Sequence, residues 1–145
     1  MTPDDEYLLR LGRVTYSLTR LDTAVRDALA QLPGLPPALA VRKLAPKTTE
    51  ATAHALTNPA NTAKVADPAT RAWLHAAGEE LAAAARLRHA ITAARSAADD
   101  EEPRLHRRAG EHGDGVDITT AWLERAQADL DDALRQVLRP RPAAA

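Results

Sequence analysis

The sequence predicts an all-α protein: an up-and-down bundle of four main helices, with a proline-broken second segment and a long loop before the last helix. Three observations predict it. Apolar residues are 45% of the 145, yet aromatics are only 3% and Phe is absent. Alanine dominates the apolar fraction, which suits closely packed helices better than a sandwich of branched and aromatic strands. Apolar side chains recur in steps of three and four along three long stretches, the spacing of one helix face. Proline and glycine punctuate the sequence between them. A chain of this length makes one domain, read here as residues 1–139, with a disordered tail at 140–145.

The elements follow in order. Thr2-Pro3-Asp4-Asp5-Glu6 is a helix start: a capping hydroxyl, proline at the first position, and acids that complement the helix dipole. The stripe Leu11, Val14, Leu18, Leu21, Val25, Ala28, Leu32 carries that helix to PGLPP. Pro46 then splits the next segment, giving short helices at about 37–44 and 47–57, and NPANTAKVADP reads as a loop. Asp67-Pro68 starts a long helix running to Asp99, with the stripe Leu74, Ala77, Leu81, Ala84, Arg88, Ile91. Residues 99–117 are polar, with Gly110, Gly113 and Gly115, and read as a hairpin or an ordered loop; connections this long are usually functional or disordered. The last helix, about 118–138, has the stripe Leu123, Ala126, Leu130, Ala133, Val137.

Composition bounds the function. The formal net charge is −1, so no global field calls for nucleic acid or a membrane, and any anion-binding surface must be local. With no Cys, disulfides and thiolate metal sites are excluded. The first thirteen residues are acidic and hold no apolar run of signal-peptide length. No stretch reaches the roughly 20 apolar residues of a membrane span. The expectation is a cytoplasmic protein with no membrane partner.

Three groups of residues bear on chemistry. His106, Glu111, His112, Asp114 and Asp117 are legitimate ligand types, but their spacing fits no known motif and no metal is expected. His54 and His75 read as surface helix positions. Arg104, His106, Arg107 and Arg108 form a basic cluster that Asp99, Asp100, Glu101 and Glu102 offset, without aromatic residues for base stacking. The third group lies in LRHAITAARSA, residues 87–97. On a helix, 88, 92 and 95 share a face, as do 89, 92, 93 and 96, so Arg88, His89, Thr92, Arg95 and Ser96 make one polar patch. Arg88 continues the apolar seam, and an arginine there must be paired, face a cleft, or meet a partner subunit.

That stretch resembles the signature helix of HEPN domains, in which an arginine is followed by a polar residue, a short spacer and a histidine. Arg88 fits the arginine and His89 the polar position. Ala93 stands where the family has its histidine. Arg107 and His112 make a second formal match, but in a glycine-rich loop rather than on a helix. The layout is similar too: the motif on a long penultimate helix, then a variable loop and a last helix. The resemblance implies metal-independent RNA cleavage without a cofactor, at a homodimer interface where two motif helices face each other across a two-fold axis. It assigns the catalytic positions to Arg88, His89 and Ala93, and RNA contacts to Thr92, Arg95, Ser96, Arg104, Arg107 and Arg108. The arginine would grip phosphate and the histidine would act on the ribose 2′-OH near neutral pH. Such nucleases are toxins of toxin–antitoxin pairs and abortive-infection effectors, so an antitoxin protein is a further expected partner.

Ala93 then marks an inactive form, explained in one of two ways. The chain is a His-to-Ala variant of a toxic nuclease, or a naturally non-catalytic binding and dimerisation module. Retention of Arg88, His89 and Arg95 favours the first. An unrelated bundle that binds a protein through alanine-rich faces is the remaining reading.

Overall fold

The computed structural model describes residues 2–96, 105–107 and 116–139. It is mostly helical, with a small three-stranded sheet. Helix α1 spans Pro3–Ala30 and starts as its sequence requires. Thr2 Oγ1 accepts the Asp5 N–H at 3.1 Å and Asp5 Oδ2 accepts the Thr2 N–H at 3.3 Å, a reciprocal box that satisfies two otherwise orphaned donors. It buries Tyr7, Val14, Leu18, Leu21, Val25 and Leu29. Leu29 therefore replaces Ala28 in the expected seam, because the larger side chain fills the core. The chain turns at Gly34, whose φ of +73° is a conformation that glycine adopts without strain.

A 3-10 turn at Pro37–Leu39 and a single turn of helix, α2 at Val41–Leu44, precede α3 at Thr49–Thr57. Pro46 lies between α2 and α3, as its missing N–H dictates. The expected loop after α3 holds a short helix, α4 at Pro59–Thr62. Asn58 Oδ1 accepts the Ala60 N–H at 3.0 Å and Pro59 takes the first helical position, two start signals that outweigh the loop-like composition. Helix α5 spans Pro68–Thr92 behind the cap Asp67. The Thr70 hydroxyl and the α5 backbone hold the Asp67 carboxyl below the usual carboxylate range, so the cap weakens as acid protonates it.

Helix α5 was expected to reach Asp99 but stops at Thr92. Arg95–Ser96 form strand β1, which pairs antiparallel with β2 at Leu105–Arg107. Strand β2 pairs in turn with β3 at Val116–Ile118. The alanine-rich sequence favours helix locally, but backbone pairing and the burial of Ile118 against the bundle override that preference. Tyr7 locks the sheet to α1 by donating its hydroxyl to the Ile118 carbonyl at 2.5 Å. Helix α6, Thr120–Leu138, buries all five residues of its expected stripe. The tail at 140–145 and most of the 99–117 connection lie outside the described residues.

The four main helices do not simply alternate in direction. Helices α1 and α6 run the same way: Tyr7 meets Ile118, Arg10 Nη1 meets Glu124 at 2.9 Å, and Ser17 meets Gln127. Helix α3 also follows α1, with Asp22 bonded to Thr49 and Arg26 to Thr52. The long connection 31–48 makes this possible, because it carries the chain back before α3 begins. Helix α5 opposes α3, with Arg88 at Thr49 and Gly78 against Ala53 and Thr57. Leucines fill the centre, among them Leu18, Leu21, Leu74, Leu81 and Leu123. Alanines 53, 77, 84, 126 and 133 are buried where helices face one another. Where α5 faces α6, desolvation and the nearby Asp129 and Glu79 raise the Glu80 carboxyl. Among the described residues no helix is long and apolar enough to cross a membrane.

Gly78 sets how closely α5 approaches α3. A Cβ there would sit 2.5 Å from Thr57 Cγ2 and 3.1 Å from both the Ala53 carbonyl oxygen and Leu56 Cβ. Elsewhere in a helix, alanine gains about 1 kcal/mol over glycine. Here overpacking of about 1–3 kcal/mol reverses the sign, so Gly78→Ala should lower the midpoint of thermal unfolding. Adding Thr57→Ser, which removes the clashing methyl, should recover part of the loss in the same melt.

Candidate functional site

The polar centre of the molecule lies where α1, α3 and the C-terminal half of α5 meet, and it is built on Arg26. Its Nε donates to Asp22 Oδ2 at 2.8 Å, one helical turn earlier. Nη1 donates to the Leu44 carbonyl at 2.6 Å, and Nη2 to the Lys47 carbonyl at 2.8 Å and to Thr52 Oγ1 at 2.9 Å. One guanidinium thus bonds the Leu44 carbonyl, which also accepts the Lys47 N–H at 2.9 Å, and the Lys47 carbonyl, and so pins the α2–α3 connection to α1. Asp22 and Arg26 are each about one-fifth exposed, so their attraction is little screened by water. Asp22 Oδ1 accepts from the Thr49 hydroxyl at 2.8 Å. Thr49 in turn accepts from Arg88 Nη1 at 3.2 Å.

Arg88 ends this chain of hydrogen bonds and is used differently. Among the described residues its bond to Thr49 is the one it donates, and no acidic side chain lies within ion-pairing distance of it. It stands in the wall between two openings. The larger is a cleft of about 510 Å³ between α1 and the 41–49 segment. Asp22, Thr48, Thr49, Lys47 and Arg88 line its polar part, and Leu29, Val41 and Leu44 its apolar part. The smaller, about 290 Å³, is a groove between α3 and α5 lined by Thr48, Thr49, Glu50, Arg88, His89 and Thr92.

The residues expected to act together separate into three groups. Arg88, His89 and Thr92 share the smaller groove. His89 and Thr92 are exposed, and the Thr92 hydroxyl is spent on the Arg88 carbonyl at 3.0 Å. Ala93 is exposed at the helix end, where its N–H caps the His89 and Ile91 carbonyls, and it does not line the groove. Arg95 and Ser96 do not continue the helical patch: both belong to β1, because the helix ends before them, so the expected helical face of residues 88, 92 and 95 does not form. The backbone of Arg107 pairs with Val116 in the sheet. Arg104 and Arg108 lie outside the described residues, as do Glu111, His112 and Asp114. His106 and Asp117 are cross-strand neighbours, and among the described residues no three histidines or carboxylates gather as a metal site. His54 and His75 are exposed on their helices.

Asp22, Arg26, Thr49, Thr52 and Lys47 were not singled out in the sequence. Asp22 and Arg26 are spaced like an ordinary surface ion pair four residues apart. The available signal was Thr49 and Thr52 on one face of a short helix, where two hydroxyls turned inward need partners. Compared with family models, characterised proteins and solved structures, the chain matches none of them.

The two arginines should part company on substitution. Arg26→Met removes four hydrogen bonds and leaves Asp22 without its counter-ion, and should cost roughly 2–4 kcal/mol of stability. Arg88→Gln gives up one bond and should cost less than about 1 kcal/mol. Urea unfolding of the two variants against the parent chain measures both.

Proposed function

We propose that the chain is a HEPN-like helical domain that holds RNA phosphate in the groove between α3 and α5 and, with Ala93 in place of the family's histidine, does not cut it. The observation that carries this reading is the grouping of Arg88, His89 and Thr92 in one accessible groove, where Glu50 is the described carboxylate and lies outside ion-pairing range of Arg88. A guanidinium in that state suits a phosphodiester oxygen. His89 adds an imidazole able to hydrogen-bond a phosphate or a ribose hydroxyl. The resemblance supplies the rest of the proposal: a homodimer across the motif helix, RNA rather than DNA, and an antitoxin protein as partner. Ala93 is exposed, so a histidine there would fit without repacking, which makes the restoring substitution a fair test.

A second reading has its own support. Leu8, Leu9 and Tyr16 are exposed on α1, at 61%, 42% and 68%, as they would be on a surface that binds another protein without RNA.

The test is a single-stranded RNA oligonucleotide titrated against the parent chain and Arg88→Gln, at two salt concentrations. The parent should bind, and Arg88→Gln should weaken binding by roughly tenfold and reduce the salt slope by about one. Ala93→His should cleave the RNA in the presence of chelator if the chain is an inactivated nuclease. Binding without cleavage by a folded Ala93→His chain assigns the binding module. Absence of RNA binding by the parent defeats both forms of the proposal and leaves the protein-binding reading.

A further inference from the structure

The larger cleft is not explained by RNA contact, and its lining has a polarity of its own. We propose that it binds a small amphiphilic anion, with a carboxylate or phosphate head at Arg88 and Lys47 and a short aliphatic body against Leu29, Val41 and Leu44. This goes beyond the RNA reading and does not depend on it.

The charge balance carries the first half. Four charged side chains line the cleft: Asp22, Arg26, Lys47 and Arg88. Asp22 and Arg26 neutralise each other at 2.8 Å, and Arg26 has spent four of its five N–H donors on the protein. What remains is Arg88 and Lys47, neither with a described acidic side chain in ion-pairing range. Lys47 is exposed and Arg88 half buried, so an anion entering the cleft displaces no ion pair at either. A single bond to the Thr49 hydroxyl through Nη1 places Arg88 at the cleft and leaves its other donors for a ligand.

The order of residues along α1 carries the second half. Asp22 marks the polar end, joined through Thr49 to Arg88. Leu29 lies two turns further on, about 10 Å along the axis at ~1.5 Å per residue, on the side of Val41 and Leu44. Leu29 and Leu44 are buried, and Val41 is half exposed at the rim. An apolar wall that runs from Leu44, three residues before Lys47, to Leu29, about 10 Å along α1 from Asp22, matches an eight-carbon chain lying along it. No aromatic residue lines the cleft, which argues against a stacked nucleobase. A volume near 510 Å³ falls within the usual range for small-molecule sites.

The experiment is a calorimetric titration of the whole chain with sodium octanoate, octyl phosphate and octan-1-ol. At least one of the two anions should saturate below about 10 mM, and the tighter of the two names the head group. Octan-1-ol should bind roughly tenfold more weakly than that anion. Arg88→Gln should bring the anion down to the level of the alcohol. Val41→Glu, a change at the exposed rim and away from the RNA groove, should weaken the anion roughly tenfold by placing a carboxylate beside the aliphatic body, with RNA affinity unchanged. Any of three results would overturn the proposal: no saturation by either anion, equal affinity for octan-1-ol and the anions, or an unaltered anion affinity in Val41→Glu. Because Val41 does not line the groove, loss of octanoate binding and loss of RNA binding are separate events.

Discussion

Arg26 determines how the two halves of the bundle meet. The turn after α2 closes with the Lys47 N–H on the Leu44 carbonyl, but Pro46 has no N–H to extend it, so the connection needs a hold from outside. The Arg26 guanidinium takes the carbonyls of Leu44 and Lys47 together with the Thr52 hydroxyl. Asp22 makes that burial affordable by supplying the counter-charge on the same helix face. With this one residue in place, α3 can run alongside α1, and α5 can pack against α3 through the space that Gly78 leaves open. The cleft and the groove are then the gaps beside that junction, and Arg88 reaches both because Thr49 holds it there.

Two arginines with similar sequence surroundings thus have different roles. Arg26 sits in a helix whose apolar stripe flanks it, and the structure consumes its donors. Arg88 continues an apolar stripe, is half buried, and keeps most of its donors for something outside the described protein groups. Net charge conceals this difference: the chain as a whole is almost neutral, while Arg88 and Lys47 line one cleft with no described carboxylate in ion-pairing range. Local pairing, more than composition, sets what such a surface attracts.

The helices were largely legible because their signals are redundant. Thr2 with Pro3 and Asp67 with Pro68 announced the starts of α1 and α5, and the α6 stripe from Leu123 to Val137 is buried residue for residue. Where local and distant preferences conflict, the sequence was not enough. ITAARSAADD is a good helical sequence, yet α5 yields at Thr92 to strand pairing with a segment about ten residues away. That early end also dissolved the predicted face of Arg88, Thr92 and Arg95. The direction of α3 was not legible either, since it depends on how the 31–48 connection folds back. Of the site, Arg88 was visible as an anomaly on an apolar seam. Asp22 and Arg26 were not, because a pair four residues apart looks the same whether it faces water or a helix terminus.

Arg26 spends its donors on the fold, while Arg88 donates one bond to Thr49. Side-chain NMR of nitrogen-labelled guanidinium groups in the ligand-free protein tests it most directly, by measuring rotation about the Nε–Cζ bond and exchange of the attached protons. Four hydrogen bonds should make Arg26 rotate and exchange slowly, and Arg88, with one bond to Thr49, should rotate fast. Fast rotation at Arg26 would remove the anchor of the bundle, and slow rotation at Arg88 would mean that the protein itself already holds the group assigned to a ligand.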